Sequence, residues 1–369
     1  MRERAARRLV VKLGSSILSD AAGRPDRRQF GQLVSQVAAC RRDGREVVLV
    51  SSGAIACGMG HLGLRRRPQQ VAQLQACAAI GQGELMRRYS EAFAAYELTV
   101  AQVLLTQADL ADPRRYRNAK QTLQTLLERR IIPIINENDV VAVEEIAFGD
   151  NDRLAALVAA MVRAEVLVIL SDVDGLLQDG KVIERIDRLD HRHHALALGA
   201  SRETTTGGMA SKLAAARIAR HSGIPLVIAN GRSSTVLREI LRGKPVGTLI
   251  TPPKQRLKFH KWWIAFSVRQ PLGAVVIDAG AAEALGQRGR SVLAAGIRDV
   301  RGRFHAGDPI AVLDRAGAEV ARGVSSFSSS ELARIQGMTG RQIAQALGRA
   351  GPDEVVHCDH LVLTQELDG

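Results

Sequence analysis

At 369 residues and 46% hydrophobic content the chain has apolar material for one large or two ordinary domains, and no apolar run approaches the roughly 18 residues that cross a bilayer. Cys40, Cys57, Cys77 and Cys358 lack C-x-x-C pairing, which argues against a disulfide framework and a clustered zinc site; small buried thiols in a soluble, cytoplasmic protein are expected. The net charge of +13 invites a nucleic-acid reading, but 43 of the 51 cations are arginines spread along an alanine-rich chain, and 11 cations against 4 acids already lie between Met1 and Arg45, so a solvated basic surface accounts for most of the excess.

In chain order, β-rich runs alternate with helical patterns. Strands are expected at Leu9–Leu13, Glu46–Val50, Thr99–Leu105, Ile131–Ile135, Val166–Leu170, Pro225–Ile228 and Thr248–Thr251. Helices are expected at Arg28–Arg42, Gln69–Tyr96, Ala119–Arg129, Arg153–Arg163, Lys212–His221 and Ser234–Arg242. The β-α-β rhythm predicts an α/β fold, a mostly parallel open sheet covered by helices on both faces, over residues 1–252. Residues 253–272, with Pro, Lys and the Trp262-Trp263 pair, read as a linker, the tryptophans as buried between domains. A small mostly-β domain with its tail is expected over 273–369, with short strands at Ala274–Ile277, Ile310–Leu313 and Val320–Val324 and a helix near Ser330–Gln336. Its segment Ala274–Gly348 carries 9 cations and 7 acids, a net of +2, which does not make a nucleic-acid surface.

In such sheets ligands gather beyond the carboxyl ends of the strands. Lys12 closes the first strand ahead of Gly14-Ser15-Ser16, and the second runs into Ser51-Ser52-Gly53-Ala54. The fourth leads to Asn136-Glu137-Asn138-Asp139, Gly149-Asp150-Asn151-Asp152 opens a helix, and the fifth ends in Ser171-Asp172. Thr206-Gly207-Gly208-Met209-Ala210-Ser211-Lys212 delivers a lysine to a helix start, where converging N–H groups, the positive end of the helix and an ammonium can hold phosphate. Each of the first five groups has a structural reading as a cap or turn; together they point to a site.

Two other motifs fail on context. Gly58-Met59-Gly60-His61-Leu62-Gly63 has G-x-G-x-x-G spacing but lies eight residues past a strand and runs into arginines and Pro68. Gly175 to Lys181 has Walker A spacing but is followed by Val182, which has no hydroxyl for magnesium. His191, His193, His194, His357 and His360 lie in loop-like sequence without metal-ligand spacing and read as surface residues.

The ordered set Val10-Val11-Lys12-Leu13-Gly14-Ser15-Ser16, Ser51 to Ala56, Ile135 to Asp139, Gly149 to Asp152 and Thr206 to Met209 closely resembles the glutamate 5-kinases, over nearly the whole chain. The resemblance implies an amino acid kinase fold followed by a PUA domain, and ATP-dependent phosphorylation of L-glutamate with magnesium. It implies Lys12 and Lys212 as the pair that stabilises the transferring phosphoryl group and Asp152 as the carboxylate that holds them. Ser52, Asp139 and Asn151 match glutamate-binding positions. Lys12, Ser171, Asp172, Thr206, Gly207, Gly208, Met209, Ala210, Ser211 and Lys212 match ATP-binding ones, and no side chain is assigned to a metal. After Gly175 the chain departs from the pattern, with Leu177 at a common tyrosine and a shortened loop. Feedback inhibition by proline and a homo-oligomeric state are also implied; RNA binding by the PUA-like domain has no support from charge, and no membrane partner is expected.

Overall fold

Six-residue apolar runs become the centre of a sheet because β-branched residues fit a pleated surface buried on both sides. The computed structural model describes residues 6–18, 26–142, 151–199, 208–254, 256–267, 271–286, 290–349 and 352–367. The chain forms two units, Met1–Arg256 and Leu257–Gly369.

In the first unit, β1 (Arg8–Leu13), β2 (Glu46–Ser51), β3 (Val100–Leu105), β4 (Ile132–Glu137), β5 (Val166–Ser171), β8 (Arg185–Ile186), β9 (Leu226–Asn230) and β10 (Thr248–Ile250) form one sheet in the order β3-β4-β2-β1-β5-β9-β10-β8. All neighbours pair in parallel except β9 and β10, which are antiparallel, so one edge of the sheet is mixed. The small pair β6 (Leu177–Gln178) and β7 (Lys181–Val182) is a hairpin. Its turn residues Asp179 and Gly180 have φ of 52° and 76°, the double positive of a type I′ turn, which is what the Walker-like spacing builds instead of a phosphate loop.

The helices are α1 (Ser15–Leu18), α2 (Arg27–Arg42), α3 (Ala54–His61), α4 (Val71–Ala94), α5 (Gln107–Ala111), α6 (Pro113–Glu128), α7 (Asn151–Val162), α8 (His191–Gly199), α9 (Met209–His221) and α10 (Val236–Leu241). Strand alternation sorts β1: Leu9, Val11 and Leu13 pack with Leu33 and Val37 of α2, Tyr89 and Phe93 of α4 and Leu237 of α10. Val10 and Lys12 therefore face the other layer, where α7 and α9 pack together and α7 packs on β1. This alternation alone aims the single lysine of β1 at the first turns of α7 and α9.

The start of α6 and the whole of α3 escape the periodicity. α6 starts six residues before the expected Ala119 because Asp112 accepts hydrogen bonds from the N–H groups of Arg114 and Arg115, both at 2.8 Å, with Pro113 in the first position. α3 is absent from the expected helices; its N-cap is Gly53, whose φ of 108° favours glycine. The G-x-G-x-x-G spacing lies at its end: a Cβ on Gly58 would sit 1.9 Å from the Cys77 carbonyl oxygen, and one on Gly81 would sit 1.8 Å from that of Ala54. These glycines let the α3 and α4 backbones touch.

In the second unit, β11 (Gly273–Ile277), β13 (Ile297–Gly302), β14 (Pro309–Leu313), β15 (Glu319–Val324) and β17 (Leu361–Leu363) form a sheet ordered β13-β11-β14-β15-β17, and β12 (Val292–Leu293) pairs with β16 (Glu354–Val356). Its core gathers Val275, Ile277, Ile310, Val312, Phe327, Leu332 and Val355. The helices are α11 (Phe259–Phe266), α12 (Ala279–Gly286), α13 (Ser329–Ile335), α14 (Gly340–Leu347) and α15 (Thr364–Leu367). α13 opens on a capping box between Ser328 and Glu331. The stretch expected as a linker holds α11, which groups with this unit and packs on β15 and β17. Its reason is composition: Trp262, Ala265 and Phe266 recur at the i, i+3, i+4 spacing of a helix and are buried. Among the described residues no helix is long and apolar enough to cross a membrane.

Candidate active site

The site lies beyond the carboxyl ends of β1, β2, β4 and β5, where the strand order switches from one side of β1 to the other. Asp152, in the first turn of α7, is 1% exposed. Its Oδ1 lies 2.5 Å from the Lys12 amine and its Oδ2 lies 3.2 Å from the Lys212 amine, and the Ser211 hydroxyl donates to Oδ2 at 3.3 Å. Lys12 and Lys212 are themselves 6% and 4% exposed. Burial pushes the Asp152 carboxyl up, but the charges and hydrogen bonds of Lys12 and Lys212 outweigh it and hold the group below the usual carboxylate range. Two buried ammonium groups around one carboxylate leave a net charge of about +1 at the strand tips, which suits an anionic ligand.

Lys212 stands in the first full turn of α9, whose N-cap is Gly208 with no side-chain cap. The first-turn N–H groups are consequently not capped by that side chain, and the positive end of a 13-residue helix stands beside the lysine. Met209, Ala210 and Ser211 share this turn; Thr206 and Gly207, and the motif residues Gly149 and Asp150, lie outside the described residues. At the β5 tip, Ser16 and Ser171 each donate to Asp172 Oδ1 at 3.0 Å. Burial opposes ionisation of Asp172, yet backbone and hydroxyl hydrogen bonds and the Lys212 charge hold its carboxyl below the ordinary range.

Next to the lysine pair runs a ladder of amides. Asn151, the residue before Asp152, donates from Nδ2 to Ser52 Oγ at 2.9 Å and to Asn136 Oδ1 at 3.1 Å. Asn136 in turn donates to Gln82 Oε1 at 2.9 Å. The Glu137 backbone N–H donates to Asn136 Oδ1 at 2.9 Å, and because a backbone N–H can only donate, it fixes which end of every amide is oxygen. Two buried atoms of the ladder, Asn151 Oδ1 and Gln82 Nε2, have no partner among the described residues. A buried donor and acceptor left open beside a cationic site are costly unless a ligand fills them. The start of α7 thus joins two clusters, Asn151 reaching the ladder and Asp152 the lysines.

Asp139 follows β4, three residues after Asn136 and outside the ladder's hydrogen bonds. Burial pushes its carboxyl up to about 6 against the opposing charge of Arg67. Gln82 was not anticipated from sequence, and Ser16 and Asn136 were read only as parts of motifs. Gln82 is the lone amide on the buried stripe Leu74, Cys77, Ala78, Gly81, Leu85, Tyr89 of α4, a signal the pattern did contain.

Among the described residues, three or more potential metal ligands cluster only at His357, Cys358 and Asp359, in the second unit. At the strand tips both oxygens of Asp152 are engaged by lysines, and Asp172 is a second carboxylate whose ionised form the Lys212 charge favours. That donor set fits magnesium carried on nucleotide phosphates with its own waters and one carboxylate, and it does not build a protein cage.

Residues 7–230 match the amino acid kinase family and residues 273–347 match the PUA domain. The chain is 45% identical over 364 residues to a glutamate 5-kinase of Citrifermentans bemidjiense, covering 97% of each. It is 49% identical over 372 residues to one of Salinispora arenicola, covering 98% of this chain and 100% of that one. It is 46% identical over 366 residues to one of Thermus thermophilus, covering 98% of both.

Proposed function

Because the chain belongs to the amino acid kinase family, among its glutamate 5-kinases, we propose that the residues at the strand tips divide that reaction between a phosphoryl-transfer clamp and a glutamate pocket. The reaction is ATP-dependent phosphorylation of the γ-carboxylate of L-glutamate to L-glutamyl 5-phosphate, the first step of proline biosynthesis. The observation that supports the division is Asp152 held between the amines of Lys12 and Lys212.

The γ-carboxylate is already ionised at neutral pH, so its attack on phosphorus needs no general base. What limits the step is bringing one anion against a polyanion, and preorganised cations and N–H groups supply that. Lys12 and Lys212 stabilise the phosphoryl group as it moves, Asp152 keeps both amines in place, and the first turn of α9 from Gly208 to Ser211, with Thr206 and Gly207 ahead of it, holds the ATP phosphates. Ser171 and Asp172 line the nucleotide side. Asp172 and the ATP phosphates would hold magnesium, which would neutralise part of the phosphate charge.

Ser52, Asn151 and Asp139 bind glutamate, with Asn136 and Gln82 added by the ladder. Since Ser52 Oγ accepts from Asn151, its own hydrogen is left to donate to a substrate carboxylate. Asn151 Oδ1 and the Asp139 carboxylate suit the α-ammonium. Coupled ADP-release assays with L-glutamate, aspartate, acetylglutamate, carbamate and uridylate test this: turnover is expected with glutamate, and none with folded protein sinks the proposal.

Two expectations follow from the pocket. Gln82→Met strips the acceptor from Asn136 Nδ2 and leaves a buried donor unpaired. It raises the glutamate KM about tenfold with the ATP KM unchanged and lowers stability by about 1–3 kcal/mol; an unchanged glutamate KM removes Gln82 from the pocket. Asp139, titrating at about 6, is ionised above that pH and neutral below it. The glutamate KM therefore rises as pH falls through about 6, and Asp139→Asn has a high KM with no such dependence; a wild-type KM flat from pH 5 to 7 contradicts the role.

Proline carries the same α-carboxylate and ammonium, so it competes in this pocket, and rising glutamate relieves the inhibition; inhibition undiminished at saturating glutamate refutes this. A homo-oligomer has support from exposed Leu62, Leu64, Val71 and Ile80 on and between α3 and α4, and sedimentation tests it. ATP as co-substrate supports a cytoplasmic location.

A further inference from the structure

The second unit brings together histidines that the sequence places about a hundred residues apart. His260, on α11, and His360, in the 3₁₀ turn Cys358–His360, meet with Nε2 and Nδ1 2.8 Å apart. Ser291 accepts the Cys358 N–H at 3.1 Å and donates to Glu354 Oε1 at 3.1 Å, so the turn is tied down from two sides. At its start, the ligand atoms of His357, Cys358 and Asp359 all lie within 4.8 Å of one another.

The His357 ring is oriented as a metal-binding imidazole would be. Its Nε2 faces Glu354 Oε2 at 4.0 Å, and its Nδ1 accepts the Asp359 N–H at 3.2 Å, which places the ring proton on Nε2 and the lone pair on Nδ1. A carboxylate behind the far nitrogen is the usual support of a ligating histidine. Around that lone pair stand Cys358 Sγ at 3.9 Å and Asp359 Oδ2 at 3.7 Å. A tetrahedral zinc ion with ordinary bond lengths separates such S–N and N–O pairs by about 3.5 and 3.4 Å, so each of these two pairs needs to close by only a few tenths of an ångström, while the thiol and the Asp359 carboxylate, within 4.8 Å of each other, draw together on binding.

We propose that His357, Cys358 and Asp359 form a binding site for a divalent transition metal of the zinc class, with Glu354 orienting His357 and the fourth position open to water. One thiolate, one imidazole and one carboxylate select zinc, cobalt or nickel over magnesium or calcium, which take oxygen donors. The ion replaces the Asp359 N–H at His357 Nδ1, and the Cys358 thiol releases its proton to solvent on binding. The site belongs to the second unit and is separate from the residues assigned to phosphoryl transfer.

Titration of the chelator-treated full chain with Co²⁺ alone tests this. One equivalent is expected to bind with a tetrahedral visible spectrum and a near-ultraviolet thiolate charge-transfer band, and Zn²⁺ displaces it. Cys358→Ser abolishes the charge-transfer band, and Glu354→Gln weakens Co²⁺ affinity by about tenfold or more. Both variants keep wild-type circular dichroism and glutamate-dependent ADP release, which separates this proposal from that of the kinase site. Absence of stoichiometric Co²⁺ binding, or a charge-transfer band that survives in Cys358→Ser, overturns it.

Discussion

Lys212→Ala and Lys12→Ala each lower kcat by about 10²-fold or more, while the KM values for glutamate and ATP change far less. The magnitude follows from losing one preorganised donor at a site of developing charge, about 3 kcal/mol of transition-state stabilisation. Each variant still leaves Asp152 one ammonium partner, so the fold survives and the loss is read in turnover rather than in folded protein. Steady-state kinetics on material with wild-type circular dichroism measures it. An unchanged kcat in both variants removes the lysines from the mechanism.

Asp152→Ala has the largest effect on stability. It leaves two buried ammonium groups facing each other with no counter-charge, and breaking a buried ion pair from one side costs about 3–5 kcal/mol. Urea denaturation measures the loss, and a change below about 1 kcal/mol contradicts the picture of a buried clamp. Adding Lys12→Met and Lys212→Met to Asp152→Leu removes all three charges and restores most of the stability with no turnover. The native clamp also has a pH signature. Its carboxyl titrates below the unfolded value of about 3.9, so its contribution is complete above that pH and is lost as pH falls through the lower folded-state value. Acid instability from this source is confined to that range.

Much of the first unit was legible because its strands are continuous apolar runs buried on both faces, and period-two alternation then dictates which way Lys12 points. The convergence of Lys12 and Lys212, two hundred residues apart, was readable only through the resemblance of their motifs; nothing in the local pattern of either brings them to one carboxylate. Gln82 was hidden in an amphipathic helix, where a buried amide looks like one more polar residue until its partner Asn136 is seen on another element. α3 was missed because its glycines drew attention only as a dinucleotide-like spacing, whereas Gly58 serves a close helix crossing. The antiparallel β10 follows from a short return after α10, which strand propensity does not encode. α11 was masked by the prolines and lysines around it, although its apolar spacing was present. His357 and His360 were read as surface residues for want of metal-ligand spacing, and the meeting of His360 with His260, about a hundred residues away, leaves no local pattern to recognise.

A crystal structure of the full chain with L-glutamate and a non-hydrolysable ATP analogue tests the central claim most directly. The Lys12 and Lys212 amines are predicted to stay on Asp152 and both to reach, within about 3 Å, the terminal phosphate group facing the glutamate γ-carboxylate. A complex in which either amine points away from the phosphate, or in which glutamate binds away from Ser52 and Asn151, would contradict it.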